Sequence, residues 1–167
     1  MTEIINKVAN SGLINIDLED FYPKTPLIEF DLKPFLFQEL ILKEKDFREQ
    51  LKQHEWTYYQ NKAVAIHCSA DAIVPSWAFI LVASHLQPFA IHIAYGKKET
   101  LLEELYSKTI SELDITPYQD GRIIVKGCSD KAVPQNAYIK LIEKLQPVAK
   151  SIMYGEACST VPLYKRK

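Results

Sequence analysis

With 167 residues, 47% of them apolar and 25% charged, the chain has the balance of an ordinary globular protein and can bury a sizeable core. Its net charge is −1 with both signs interspersed, and its one basic cluster is the terminal Tyr164–Lys167 run, so neither nucleic acid nor an anionic membrane is an expected partner. No basic-then-apolar leader opens it, and its most apolar window, bounded by Pro75 and Pro88, is too short for a bilayer; the expectation is a cytoplasmic protein with reduced or ligating cysteines.

Along the chain, GLINIDLEDFYP (12–23) and PLIEFDLKPF (26–35) alternate apolar and polar residues. They predict two strands with one wet face, paired as a hairpin or at a sheet edge. Helical patterns follow near 34–42 and 45–54. Short β-branched runs at 62–68, 90–95, 122–128 and 151–154 then alternate with helical patterns at 75–86, 98–113 and 134–145. Such alternation implies parallel strands joined by crossovers, an α/β fold arranged as a three-layer sandwich around a mainly parallel sheet.

Residues 59–96 and 118–155 resemble each other. Allowing one-residue gaps, Tyr59 matches Tyr118, Cys68 matches Cys128, Asp71 matches Asp130, Pro75 matches Pro134 and Tyr95 matches Tyr154. This reads as a duplicated β-loop-α-β unit whose two copies share one sheet. The whole is taken as a single domain, 1–167: N-terminal strands and helices (1–57), repeats (58–96 and 118–155) and a C-terminal tail (156–167). The later repeat helix carries Gln135, Asn136, Lys140, Glu143 and Lys144 on one arc, where the earlier one has Ser76, Trp77, Leu81, Ser84 and His85. A helix apolar nearly all round is buried. Either the N-terminal third covers Trp77 and Leu81, or a second copy does as a homodimer.

All three cysteines open similar phrases: CSADAIVP from Cys68, CSDKAVP from Cys128 and CSTVP from Cys158. Cys68 and Cys128 end their strands, the place where ligands gather in open α/β sheets. With strands ordered 90–95, 62–68, 122–128, 151–154, the first two thiols would be neighbours and Cys158 close by. Asp71, Asp130 or Glu156 could then add ligands. Three thiolates with room for a fourth donor suit zinc or an iron–sulfur cluster. A thiol enzyme, passing sulfur or cycling a disulfide, is the alternative chemistry. Buried cysteines that merely pack, in a non-catalytic interaction module, are the structural alternative. No phosphate loop, dinucleotide fingerprint, zinc-protease or hydrolase motif is present. His92 reads as a satisfied interior histidine, and the acids of DLED (17–20) as solvated groups.

GLINIDLEDFYP, LKEKDFREQL, CSADAIVPSWAFILVA and KSIMYGEACSTVPLYKRK together resemble the small bacterial family known as domain of unknown function 2480. The similarity spans the chain and includes all three Cys-Ser phrases. It implies a bacterial cytoplasmic protein. Because members occur among genes for iron–sulfur cluster assembly, it also implies a sulfur or iron–sulfur role with assembly proteins as partners. The resemblance assigns no residue. The leading expectation is a non-enzymatic metal- or cluster-binding accessory protein using Cys68, Cys128 and Cys158.

Overall fold

The computed structural model describes residues 12–127 and 130–167. Among these described residues the fold is mixed α/β, with four α-helices and two mostly parallel sheets. In chain order the elements are β1 (Leu13–Asp17), β2 (Leu27–Asp31), α1 (Glu44–Gln53), β3 (Ala63–His67), α2 (Ser76–Leu86), β4 (His92–Tyr95), α3 (Lys98–Ser111), β5 (Arg122–Lys126), α4 (Gln135–Leu145), β6 (Ser151–Glu156) and β7 (Ser159–Lys165). Two compact units result. One is continuous, Pro23–Glu104; the other is split, joining the described residues up to Tyr22 with Leu105–Lys167.

The continuous unit holds the sheet β2-β3-β4, parallel throughout. Its central strand β3 is buried along most of its length, as its AVAI run requires. Val64 and Ile66 join Phe30, Phe47, Leu51, Val82 and Leu86 in a core under α1 and α2. Phe47 and Leu51 lie four apart in α1, so both point inward from one helical face, and burying each contributes about 1.5–3 kcal/mol. Helix α1 also covers α2: the Phe47 ring meets Trp77 edge-on at 6.0 Å, and Arg48 lies over the indole. Trp56 stacks on His85 at 4.8 Å. The chain's own N-terminal third therefore covers much of the apolar arc of α2. The first turns of α3 lie over the opposite face, where Glu104 reaches His92 at 3.0 Å and the Lys98 N–H donates to Glu29.

The split unit holds the sheet β1-β5-β6-β7, in which only β7 runs antiparallel. Its buried residues include Ile16, Ile123, Val125, Leu141, Leu145 and Ile152. Tyr106 is fully buried and its hydroxyl donates to the Leu18 carbonyl at 2.8 Å. Burial, then Tyr22, Glu19 and Asp17, push that phenol up to about 12.

Several expectations are corrected. The repeat strands do not share a sheet: β3 lies between β2 and β4, and β5 between β1 and β6. Nor do the first two strands pair. β1 joins β5 and β2 joins β3, each in parallel register. Alternation identifies a strand's wet face but not its partner, which explains the error. The segment 34–42 is a short 3-10 turn (Lys33–Phe35) followed by a tight turn, because Gln38 and Glu39 take left-handed backbone angles that no helix continues through. The tail is largely strand β7, which tolerates Pro162 as an edge strand can.

The one-residue gap also disappears. Strands β3 and β5 start at 63 and 122, helices α2 and α4 at 76 and 135, and the left-handed Asn61 and Gly96 recur as Asp120 and Gly155. Every pair is 59 apart, so Cys68 stands opposite Gly127, not Cys128.

Candidate functional site

In each unit an acid at or just past the end of the first strand fastens the loop that follows that strand's partner. In the continuous unit Asp31 ends β2 opposite His67. Its carboxylate accepts from the N–H of Lys33 (2.9 Å), the N–H of Ser69 (2.9 Å) and the Ser69 hydroxyl (2.5 Å). Burial pushes the Asp31 carboxyl up. The Ser69 hydroxyl and the two N–H groups together outweigh it, and the group lies below the ordinary aspartate value. A carboxylate so held is a weak base; it is a loop fastener. In the split unit Asp17 accepts the Glu19 N–H at 2.9 Å, and Glu19 accepts those of Asp130 (2.7 Å) and Lys131 (3.1 Å). Of the DLED acids, Asp17 and Glu19 thus accept from backbone donors.

Beside this loop, Glu29 binds the Lys98 N–H at the start of α3 through one oxygen at 2.9 Å. Its other oxygen lies 3.5 Å from His67 Nε2, too long for a hydrogen bond. Neither ring nitrogen of His67 has a hydrogen-bond partner among the described residues. His92, in contrast, is held by Glu104.

The candidate ligands are dispersed between the units. Cys68 and Asp71 belong to the continuous unit, and Asp130, Glu156 and Cys158 to the split unit. Cys128 lies outside the described residues. Cys68 is half-buried against the core, its thiol 4.0 Å from the Ala70 carbonyl, a weak contact at most. Asp71 is exposed, and Glu156 pairs with Lys126 at 3.0 Å. Cys158 is an exposed free thiol in the turn between β6 and β7. Because β3 and β5 lie in different sheets, the strand adjacency expected to join Cys68 with Cys128 does not exist. Among the described residues no group of three or more His, Cys, Asp or Glu side chains could hold a metal ion.

In the split unit the place 59 residues after Cys68 is Gly127. A Cβ on Gly127 would overlap the Tyr138 hydroxyl. At the places 59 residues earlier stand Cys68 and Phe79, both partly buried against the core of the continuous unit.

Beyond the Cys-Ser loops, the split unit opens a hollow of about 380 Å³ between α4 and the β6–β7 hairpin. Tyr138, Ile139, Ile142, Tyr154 and Leu163 are among its lining residues, none of which is charged. The family described as Protein of unknown function (DUF2480) matches residues 2–166 of the chain. The chain belongs to the DUF2480 family. No curated protein and no solved structure matches it.

For this DUF2480 chain, sequence reasoning missed Asp31, Ser69 and Glu19 as fasteners, and it missed the hollow. The doublet LINIDLEDF and LIEFDLKPF, with an aspartate at the same place in each, carried the first signal. The hollow had none, because it forms only once β7 lies beside β6, and 156–167 read as a tail. No helix of the DUF2480 chain among the described residues is long and apolar enough to cross a membrane.

Proposed function

We propose that the protein is a non-catalytic interaction module that docks an apolar protein surface in the hollow of its split unit. One observation carries this reading: the uncharged hollow is walled by large apolar side chains left in water, with Ile139 64% and Leu163 50% exposed, and Val161 extends the patch along β7. Contiguous exposed apolar surface of this kind marks interaction sites. An environment-sensitive apolar dye is the direct test. Bound dye should brighten with the wild-type protein and lose most of that signal with Ile139→Glu or Leu163→Lys, at unchanged circular dichroism. Equal dye binding by the wild type and both variants would sink the reading.

A metal, iron–sulfur or thiol role for Cys68, Cys128 and Cys158 competes with it. That role lost its main support when β3 and β5 were found in separate sheets. Protein purified without air and analysed for zinc and iron decides between the two. Stoichiometric metal that disappears on cysteine-to-serine substitution would displace the interaction reading.

A further inference from the structure

The two units differ at the strand that follows their repeat helix. In the split unit β6 has β7 antiparallel beside it, with Val161 opposite Tyr154 and Tyr164 opposite Ile152. In the continuous unit the strand 59 residues earlier is β4, which ends its sheet, and the chain turns at Gly96 into α3 instead. Helix and strand otherwise present the same surface. Phe79 meets Tyr95 edge-on at 5.1 Å, as Tyr138 meets Tyr154 at 5.9 Å. Ile80 stands at the place of Ile139, and both are exposed. With no strand beside β4 among the described residues, Tyr95 is 69% exposed, against 38% for Tyr154.

An open sheet edge is a template for another strand, and proteins blunt such edges with charge or proline. The other described edges conform: β1 carries Asp17, β2 carries Glu29 and Asp31, and β7 carries Pro162 and Lys165. β4 reads HIAY, with neither proline nor an acid or lysine, and its His92 is held by Glu104. An unblunted edge beside exposed Ile80 and Tyr95 has the form of a strand-addition site, where main-chain hydrogen bonds give affinity and alternate side chains give specificity. Charge then separates the guest from β7. Glu156 lies opposite Ser159 in the split unit, and its counterpart past the end of β4 is Lys97. A guest aligned as β7 is therefore favoured by an acid at its amino end.

We infer that β4 accepts, antiparallel, an extended segment of a partner protein with apolar residues opposite Ile93 and Tyr95 and an acid opposite Lys97. The chain's own described edges begin with Leu13, Leu27, His92 and Ser159, none of them acidic, so a second copy is the poorer guest. The site belongs to the continuous unit and does not depend on the hollow of the split unit being a docking site.

The probes are capped peptides of residues 159–165 carrying Ser159→Glu or Ser159→Lys, added to the full chain. With the Ser159→Glu peptide, amide hydrogen exchange should slow at residues 92–95 and stay unchanged at 151–165. Tyr95→Asp should weaken that binding about tenfold, through lost apolar contact with the guest. Lys97→Glu should weaken it about fivefold and make the Ser159→Lys peptide the better guest. Both positions are exposed, and Ile80→Glu replaces Tyr95→Asp should that variant fold poorly. Unchanged exchange at 92–95, slowing at 151–165 instead, or a peptide preference that Lys97→Glu leaves as it was would each overturn the inference. So would a wild type that self-associates without peptide and that Tyr95→Asp makes monomeric, since a second copy would then hold the edge.

Discussion

At Gly127 a single missing side chain decides what can stand across from it. Adding a methyl there forces the Tyr138 ring to move, and overpacking of that kind costs about 1–3 kcal/mol. Gly127→Ala should lower the denaturant midpoint accordingly, and a second change, Tyr138→Phe, should restore part of the loss by removing the clashing oxygen. Additive losses in the double variant would contradict the clash with the Tyr138 hydroxyl. Asp31 gives a pH test. Its folded-state carboxyl lies below the ordinary value of 3.8, so it stabilises the fold above that value, and the contribution is lost as pH falls through the folded-state value. Asp31→Asn should cost about 1–3 kcal/mol near neutral pH, through weakened hydrogen bonds to Lys33 and Ser69. Urea midpoints of variant and wild type should converge in acid; a gap of constant width from pH 7 to 3 would show that the carboxylate's charge is irrelevant.

Among the elements, those whose period is set locally were legible. The patterns at 75–86 and 134–145 correspond to α2 (Ser76–Leu86) and α4 (Gln135–Leu145), and 45–54 to α1 (Glu44–Gln53). Pairing was not legible. LINID and LIEFD reveal a wet face, but whether each meets its neighbour or a strand about 110 or 35 residues later depends on contacts that periodicity does not encode. The strand order expected beneath the cysteines was misread for the same reason, since it set β3 beside β5. Segment 156–167 hid a strand because Pro162 argues against one, and a register irregularity at Ile152/Met153 accommodates the pairing. The cover of α2 was one of two options left open, and α1 supplies much of it. Removing Phe47, fully buried at the centre of that cover, costs about 3–5 kcal/mol. Phe47→Ala should also shift tryptophan emission to the red as Trp77 gains water. A stability loss under 1 kcal/mol with unchanged emission would mean that α1 is not what shelters the indole.

For the whole molecule, connectivity matters as much as packing. The continuous unit is inserted between Tyr22 and Leu105 of the split unit, so roughly 80 residues form a loop whose ends the split unit fixes while it is folded. Fixing those ends removes entropy from the unfolded insert, by about 4 kcal/mol for a loop of this length. By the thermodynamic cycle, each unit stabilises the other by the same amount. That is a large share of the roughly 5–15 kcal/mol that holds a typical domain folded. Both tryptophans, Trp56 and Trp77, lie in the continuous unit, so their fluorescence reports on that unit's unfolding. Leu141 is fully buried in the split unit, and truncating it costs about 2–5 kcal/mol locally. Leu141→Ala should therefore lower the thermal midpoint read by tryptophan fluorescence, together with that read by circular dichroism, although no tryptophan lies in the altered unit. Leu86→Ala, in the continuous core, should move the same shared transition. A fluorescence midpoint that ignores Leu141→Ala while circular dichroism splits into two steps would show two independently melting units, and the closure coupling would be absent.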